Sequence, residues 1–193
     1  MAKFLHKISK LKPTMDWIVT DDDPRIRMKA EPLTLPLTSD DLLQISKMVS
    51  YVDASYDNSY PEFGIRPGVA IASVQINWLK QVIYVHFDNE HGKEKKFLLA
   101  NPEIIRFSDD ISYLDGGEGC LSVPEDRQGI VPRKSEITVK AYDLIHDREI
   151  VINEYGLTAI VLQHEIDHLS GILYYDHINV LDNNYVKEDW KKI

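Results

Sequence analysis

Apolar residues along this chain fall into two rhythms. Leu42, Leu43, Ile45, Met48, Val49 and Val52 recur at helical spacing. Ser39-Asp40-Asp41 stands before them as an N-cap with a negative first turn. The clearest helix spans 156–169, where Leu157, Ile160, Val161, His164 and His168 share one face. Gly171 follows as its stop. Strand signals fill the middle of the chain. Residues 81–87 (QVIYVHF) alternate and are β-branched, and 96–100 follow, with His91-Gly92 between them as a hairpin turn. Asn101-Pro102 reads as a turn or strand edge. Residues 136–142 (EITVKAY) alternate cleanly, and 148–152 form a further short strand. Pro24, after three aspartates, opens a short helical turn. Two stretches read as loops. One is 53–68, rich in Tyr, Asp, Asn, Ser, Pro and Gly; the other is 115–133, which is Gly-rich and holds Cys120.

The 193 residues suit a single domain, 1–193, with 44% hydrophobic and 27% charged positions. No apolar run is long enough to span a bilayer. The first fifteen residues hold four lysines but no apolar run or small-residue cleavage site, so no secretory signal is expected. Phe4, Leu5, Ile8 and Leu11 suggest an arm or short helix docked on the domain. A net charge of −9 argues against sequence-specific or broad nucleic-acid binding, while leaving room for a local contact to a ribonucleoprotein. A single cysteine excludes an intrachain disulfide and fits a reducing cytoplasm.

His164-Glu165-Ile166-Asp167-His168 is an HExxH motif. Four residues of separation put both imidazoles one turn apart on the same helix face, where one ion can take both. The Glu165 carboxylate is rotated away and can reach a water on the ion as general base. Buried histidines on an apolar face need partners. A catalytic divalent ion usually takes three protein ligands and keeps one position open. Glu188 is one candidate third ligand, as in a zinc endopeptidase, but it stands in a polar tail expected to fray. Cys120 is the better candidate, because its Gly-rich loop permits close approach, and a thiolate with two imidazoles suits Fe(II) or Zn(II). A structural zinc site is a non-enzymatic alternative, but it would leave Glu165 without a task.

Three blocks resemble the peptide deformylase family. Residues 68–75 (GVAIASVQ) are similar to its G-x-G-x-A-A-x-Q, with Ala70 and Ser73 where the family usually has Gly and Ala. Residues 118–122 (EGCLS) and 163–168 (QHEIDH) match its other two blocks unchanged, in the same order. The resemblance implies an α+β fold in which antiparallel β-sheets surround a central helix carrying HExxH. It implies removal of the formyl group from the N-terminal formylmethionine of new polypeptides, with a ribosome contact and a monomeric chain. The ion would be Fe(II), with Zn, Ni or Co as substitutes.

The resemblance also distributes roles. Cys120, His164 and His168 would hold the metal, with Glu165 as base. The Gln75 side-chain amide and the Leu121 backbone N–H would stabilise the oxyanion. Gly68, Val69, Ala70, Arg127, Leu157, Ile160 and Val161 would bind substrate. Glu118 and Arg133 resemble an ion pair that shapes the site, although a loop Glu and a loop Arg are more often solvated. His6, His86, His91, His146 and His177 match no motif and read as structural or solvated.

Overall fold

The computed structural model describes residues 7–193, so Phe4, Leu5 and His6 lie outside the described residues. In chain order the elements are α1 (Ser39–Tyr56), α2 (Tyr60–Phe63), β1 (Ala70–Ala72), β2 (Val82–Asp88) and β3 (Glu94–Phe107), then β4 (Ile111–Tyr113), β5 (Arg133–Lys134), β6 (Glu136–Asp143), β7 (Arg148–Tyr155), α3 (Gly156–His168) and β8 (Lys191–Lys192). Pro24–Arg27 is the expected short helical turn. Before α1 the chain is an arm, bonded to that helix through Ser9 N–H to Ser46 Oγ (3.1 Å) and Leu11 N–H to Ser50 Oγ (2.9 Å).

Helix α1 is capped one residue earlier than its sequence suggests. Asp41 N–H donates to Thr38 Oγ1 (3.1 Å), and Thr38 N–H donates back to Asp41 Oδ2 (2.8 Å). This reciprocal box satisfies two otherwise orphaned donors. The helix also runs past Val52, and α2 follows, so the loop expected over 53–68 is partly helical. Its polarity concealed this. Asp53 lies within hydrogen-bond reach of the Tyr84 hydroxyl and of His86 Nδ1 (2.6 Å), so a carboxylate can stand on a packed helix.

Strands β1-β2-β3-β6-β7 form one sheet in that order, and every neighbouring pair is antiparallel. The β2–β3 hairpin turns at Gly92 (φ 68°) as expected. Strand β3 does not end at Asn101-Pro102. It passes through a bulge between Ala100 and Glu103, where Asn101 takes φ 52°. The Asn101 side chain accepts from Leu33 N–H (2.7 Å) and donates to Leu33 O (2.9 Å). A bulge is a place where a strand tolerates proline.

Strand β2 is buried on both faces. Val82 and Tyr84 join a core with Ile45, Met48, Val49 and Val52 of α1. Ile83, Val85 and Phe87 join another with Ala159, Val161 and Leu162 of α3. The sheet thus separates the two long helices, and α3 is closed in on its far side by the second sheet. There, the Gln163 side chain accepts from Lys134 N–H (2.9 Å) and donates to Lys134 O (2.9 Å), tying β5 to α3. Helix α3 is therefore enclosed nearly all round, beyond the single inward face its spacing suggests: Gln163 and Glu165 are buried along with the histidines.

The second sheet has the order β5-β4-β8, with β4–β8 parallel. The tail expected to fray is pinned here, with Ile193 N–H donating to Tyr113 O (2.9 Å). Gly171 closes the C-terminal turn of α3 at φ 74°, with Arg27 O packed where a side chain would begin. Only glycine accepts that conformation and that contact together.

Candidate active site

The 115–132 loop brings Cys120 beneath the last turns of α3. Its Sγ lies 3.2 Å from His168 Nε2, and the two Nε2 atoms of His168 and His164 are 3.2 Å apart. Among the described residues these three form the one group of His, Cys, Asp or Glu side chains able to share an ion, with ligand atoms within 4.8 Å of one another. All three are buried. The donor set fits a divalent metal: nitrogens bonded to a tetrahedral ion at the usual length stand about 3.3 Å apart. Glu188, the alternative third ligand, is exposed in the C-terminal tail and takes no part in the group.

The surrounding charges favour a cation. His164 Nδ1 donates to Glu118 Oε2 (2.7 Å), which leaves Nε2 facing Cys120 and His168. Burial opposes a charge on His164, yet Cys120 and Glu118 hold its pKa well above the imidazole value. Burial and the His164 charge hold His168 well below it. Arg133 grips Glu118 with both ends of its guanidinium, Nε to Oε1 at 2.8 Å and Nη2 to Oε2 at 2.9 Å. Burial pushes the Glu118 carboxyl up, but Arg133 and His164 outweigh it and hold the pKa at about 2. This pair is buried, contrary to the solvated reading, because each charge finds its partner within the fold.

Glu165 follows His164 on the helix but takes a different environment. It is 4% exposed, and among the described residues its Oε2 has no hydrogen-bond partner. Burial raises its carboxyl to about 7, against the His164 and Arg133 charges that lower it and with a smaller push upward from Glu118. A carboxyl held there can exchange a proton near neutral pH. The Gln75 amide is fixed at both ends: Oε1 accepts from Ala72 N–H (2.8 Å), and Nε2 donates to Ser122 Oγ (3.1 Å) and faces Cys120 Sγ at 3.5 Å.

A cavity of about 290 Å³ opens beside these groups. Gly68, Val69, Ala70, Gln75, Cys120, Leu121, Leu157, Ile160, Val161, His164 and Glu165 line it. Arg127 stands apart from the lining. It is paired with Asp21 (3.3 Å), its guanidinium lies over the Tyr175 ring, and its side chain is 60% exposed. Leu114, Arg66 and Pro67 also line the cavity and escaped the sequence reading. They lie in irregular segments with no periodicity to mark them. Ser122 was missed as the partner of Gln75, although it ends the EGCLS block.

A buried cysteine–imidazole pocket, a carboxyl poised near neutrality and an adjoining apolar cavity, set on this α+β frame, define a metal-dependent hydrolase. The profile of the family described as Polypeptide deformylase matches residues 15–184. The peptide deformylase of Ureaplasma parvum serovar 3 is 45% identical over 99% of this chain and 97% of its own length. That of Malacoplasma penetrans is 44% identical over 95% and 98%. Among solved structures, the class I type b peptide deformylase of Acinetobacter baumannii with Met-Ala-Ser bound superposes with a TM-score of 0.68 at 27% identity, covering 88% of this chain and all of that one. The peptide deformylase of Thermus thermophilus gives 0.66 at 29% identity, over 84% and 85%. The chain belongs to the peptide deformylase family. Its activity is that of the family: metal-dependent hydrolysis that removes the formyl group from the N-terminus of newly made polypeptides.

Proposed function

We propose that Cys120, His164 and His168 hold one divalent ion, Fe(II) in the native state, and that Glu165 is the base for deformylation. The observation that carries this is the convergence of the three buried ligand atoms beside the unpartnered Glu165 carboxyl. When bound, the ion acidifies a water and offsets negative charge on the formyl oxygen. Glu165 accepts a proton from the attacking water at its carboxylate and delivers it to the departing amine. The Gln75 amide and the Leu121 backbone N–H donate to the oxygen as charge develops there. Formate and a free N-terminal Met leave.

The formyl-Met side chain enters the cavity against Val69, Leu157, Ile160 and Val161. The peptide backbone runs along Gly68 and Ala70. Support comes from the position of β1 at the edge of its sheet, where a peptide can add as a further strand. Arg127 contacts the peptide beyond the Met, from the rim and not from within the cavity. The neighbour from Acinetobacter baumannii carries Met-Ala-Ser, a peptide that begins with the residue this cavity is proposed to take.

The chain acts as one catalytic domain over 1–193, monomeric and cytoplasmic, meeting its substrates at the ribosome. Among the described residues no helix is long and apolar enough to cross a membrane. The test is formate release from a formyl-Met peptide by anaerobically purified protein, with metal analysis of the same sample. One iron per chain with rapid formate release is expected. Full activity after complete metal removal would overturn the proposal.

A further inference from the structure

Beyond Glu118, the contacts around His164 continue outward to the surface. Arg133 Nη1 donates to Asp167 Oδ2, and His177 Nε2 donates to the same oxygen at 2.8 Å. The sequence from the surface inward is His177, Asp167, Arg133, Glu118, His164. Exposure falls along it, from 34% at the His177 side chain to 22% at Asp167 and 3% at Arg133. Each link is charge-assisted or joins a carboxylate to a ring N–H.

We propose that Asp167 and His177 are positioning residues for the metal centre, acting on His164 through Arg133 and Glu118. This rests on the reading of His164 as a ligand. The physical case is geometric. Glu118 sets the orientation and basicity of the His164 ring, and such partners of a ligating histidine commonly alter metal affinity. Arg133 is bonded to Glu118 through Nε and Nη2, which fixes the plane of its guanidinium. The two Nη1 hydrogens then point in fixed directions, and Asp167 accepts along one of them. Asp167 accepts from two donors from different parts of the chain, Arg133 of β5 and His177 beyond α3, and so cannot swing with one alone.

The turn that presents His177 does not depend on this contact. Leu173 N–H donates to Asp176 Oδ2 (2.9 Å), and Arg27 pairs with Asp176. Removing the His177 ring therefore loosens Asp167 while the Tyr174–His177 turn stays in place.

The test uses Co(II) binding to the full chain under anaerobic conditions, by competition with a coloured chelator, together with the visible spectrum of the Co(II) form. His177→Leu should weaken Co(II) binding roughly tenfold, the lower end for such partners. His177→Gln, whose amide can still donate to Asp167, should recover most of it. In a Glu118→Gln background His177→Leu should have little further effect, because the amide nitrogen cannot accept from Arg133 and the two-ended grip that couples Arg133 to His164 is already broken. A contact that only steadies the turn would instead lower the melting temperature and leave the affinity alone. Unchanged affinity for His177→Leu, or an equal loss in both backgrounds, overturns the proposal. Should Glu118→Gln fail to fold, the spectrum decides: altered visible bands in Co(II)-loaded His177→Leu support it, and bands identical to wild type overturn it. Wild-type protein that binds no Co(II) would overturn the metal site itself, and this inference with it.

Discussion

Replacing Gln75 by alanine separates a bracing contact seen in the structure from the oxyanion role proposed for the same side chain. The carboxamide oxygen satisfies the buried Ala72 N–H at 2.8 Å, and the nitrogen faces the Cys120 and Ser122 side of the cavity. Losing the oxygen leaves a buried donor unpaired, a stability cost of about 1–3 kcal/mol. Gln75 is 1% exposed, so the cavity left behind adds to that cost. Losing the nitrogen would remove the proposed oxyanion donor, at a cost of about 3 kcal/mol in the barrier, or roughly a hundred- to a thousandfold in kcat. The two effects are read by different assays. A denaturant titration gives the first. Formate release from a formyl-Met peptide gives the second, at a temperature where the variant is fully folded and with its metal content matched to wild type. A variant that is less stable yet loses less than tenfold in kcat would show that Gln75 only braces β1, and the oxyanion role would be wrong.

Glu165→Ala should keep one metal per chain and lose formate release by several orders of magnitude; loss of the ion instead would reverse the roles within HExxH. Ala70→Gly should change kcat/KM by less than about tenfold, since Ala70 lies in the extended strand β1 and a single methyl decides little in a pocket; a hundredfold gain would mean that Ala70 obstructs the cleft. Asp53 sets part of the acid stability. Burial pushes its carboxyl up, but hydrogen bonds from His86 and Tyr84 and the Lys96 charge outweigh it, so its folded pKa lies below the ordinary value. A depressed folded pKa gives stability that is present above the unfolded value and lost as pH falls through the folded one. Asp53→Asn should therefore flatten the acid limb of a stability–pH curve measured by denaturant titration, and an unchanged slope below about pH 4 would refute this.

The grouping of Cys120, His164 and His168 was legible in the sequence because helical periodicity fixes the relation of His164 to His168, and the Gly-rich loop lets Cys120 approach them. The strands were legible where alternation is clean, as over Glu136–Asp143. Sequence reasoning failed where a polar residue is satisfied by a partner far along the chain. Asp53 looked like a loop residue until His86 met it, and Asn101 looked like a stop until it bonded Leu33. The C-terminal strand was invisible because Lys191–Lys192 pairs with β4 through backbone groups, with Lys191 and Lys192 answering Asp110 and Asp115. Asp167 and His177 sit within or just after the metal motif, yet no spacing rule announces a bond between them. Arg127, carried over by resemblance as a contact to the substrate backbone, stands outside the cavity lining, where no periodicity could place it.

The central claim is that one ion sits on one thiolate and two imidazoles. X-ray absorption at the metal edge of anaerobically loaded wild-type protein tests it directly, with Zn(II) as the reference ion. One sulfur at about 2.3 Å and two imidazole nitrogens at about 2.0–2.1 Å are predicted, with the sulfur shell lost in Cys120→Ala. A first shell with no sulfur, or a sulfur shell that survives Cys120→Ala, would contradict it.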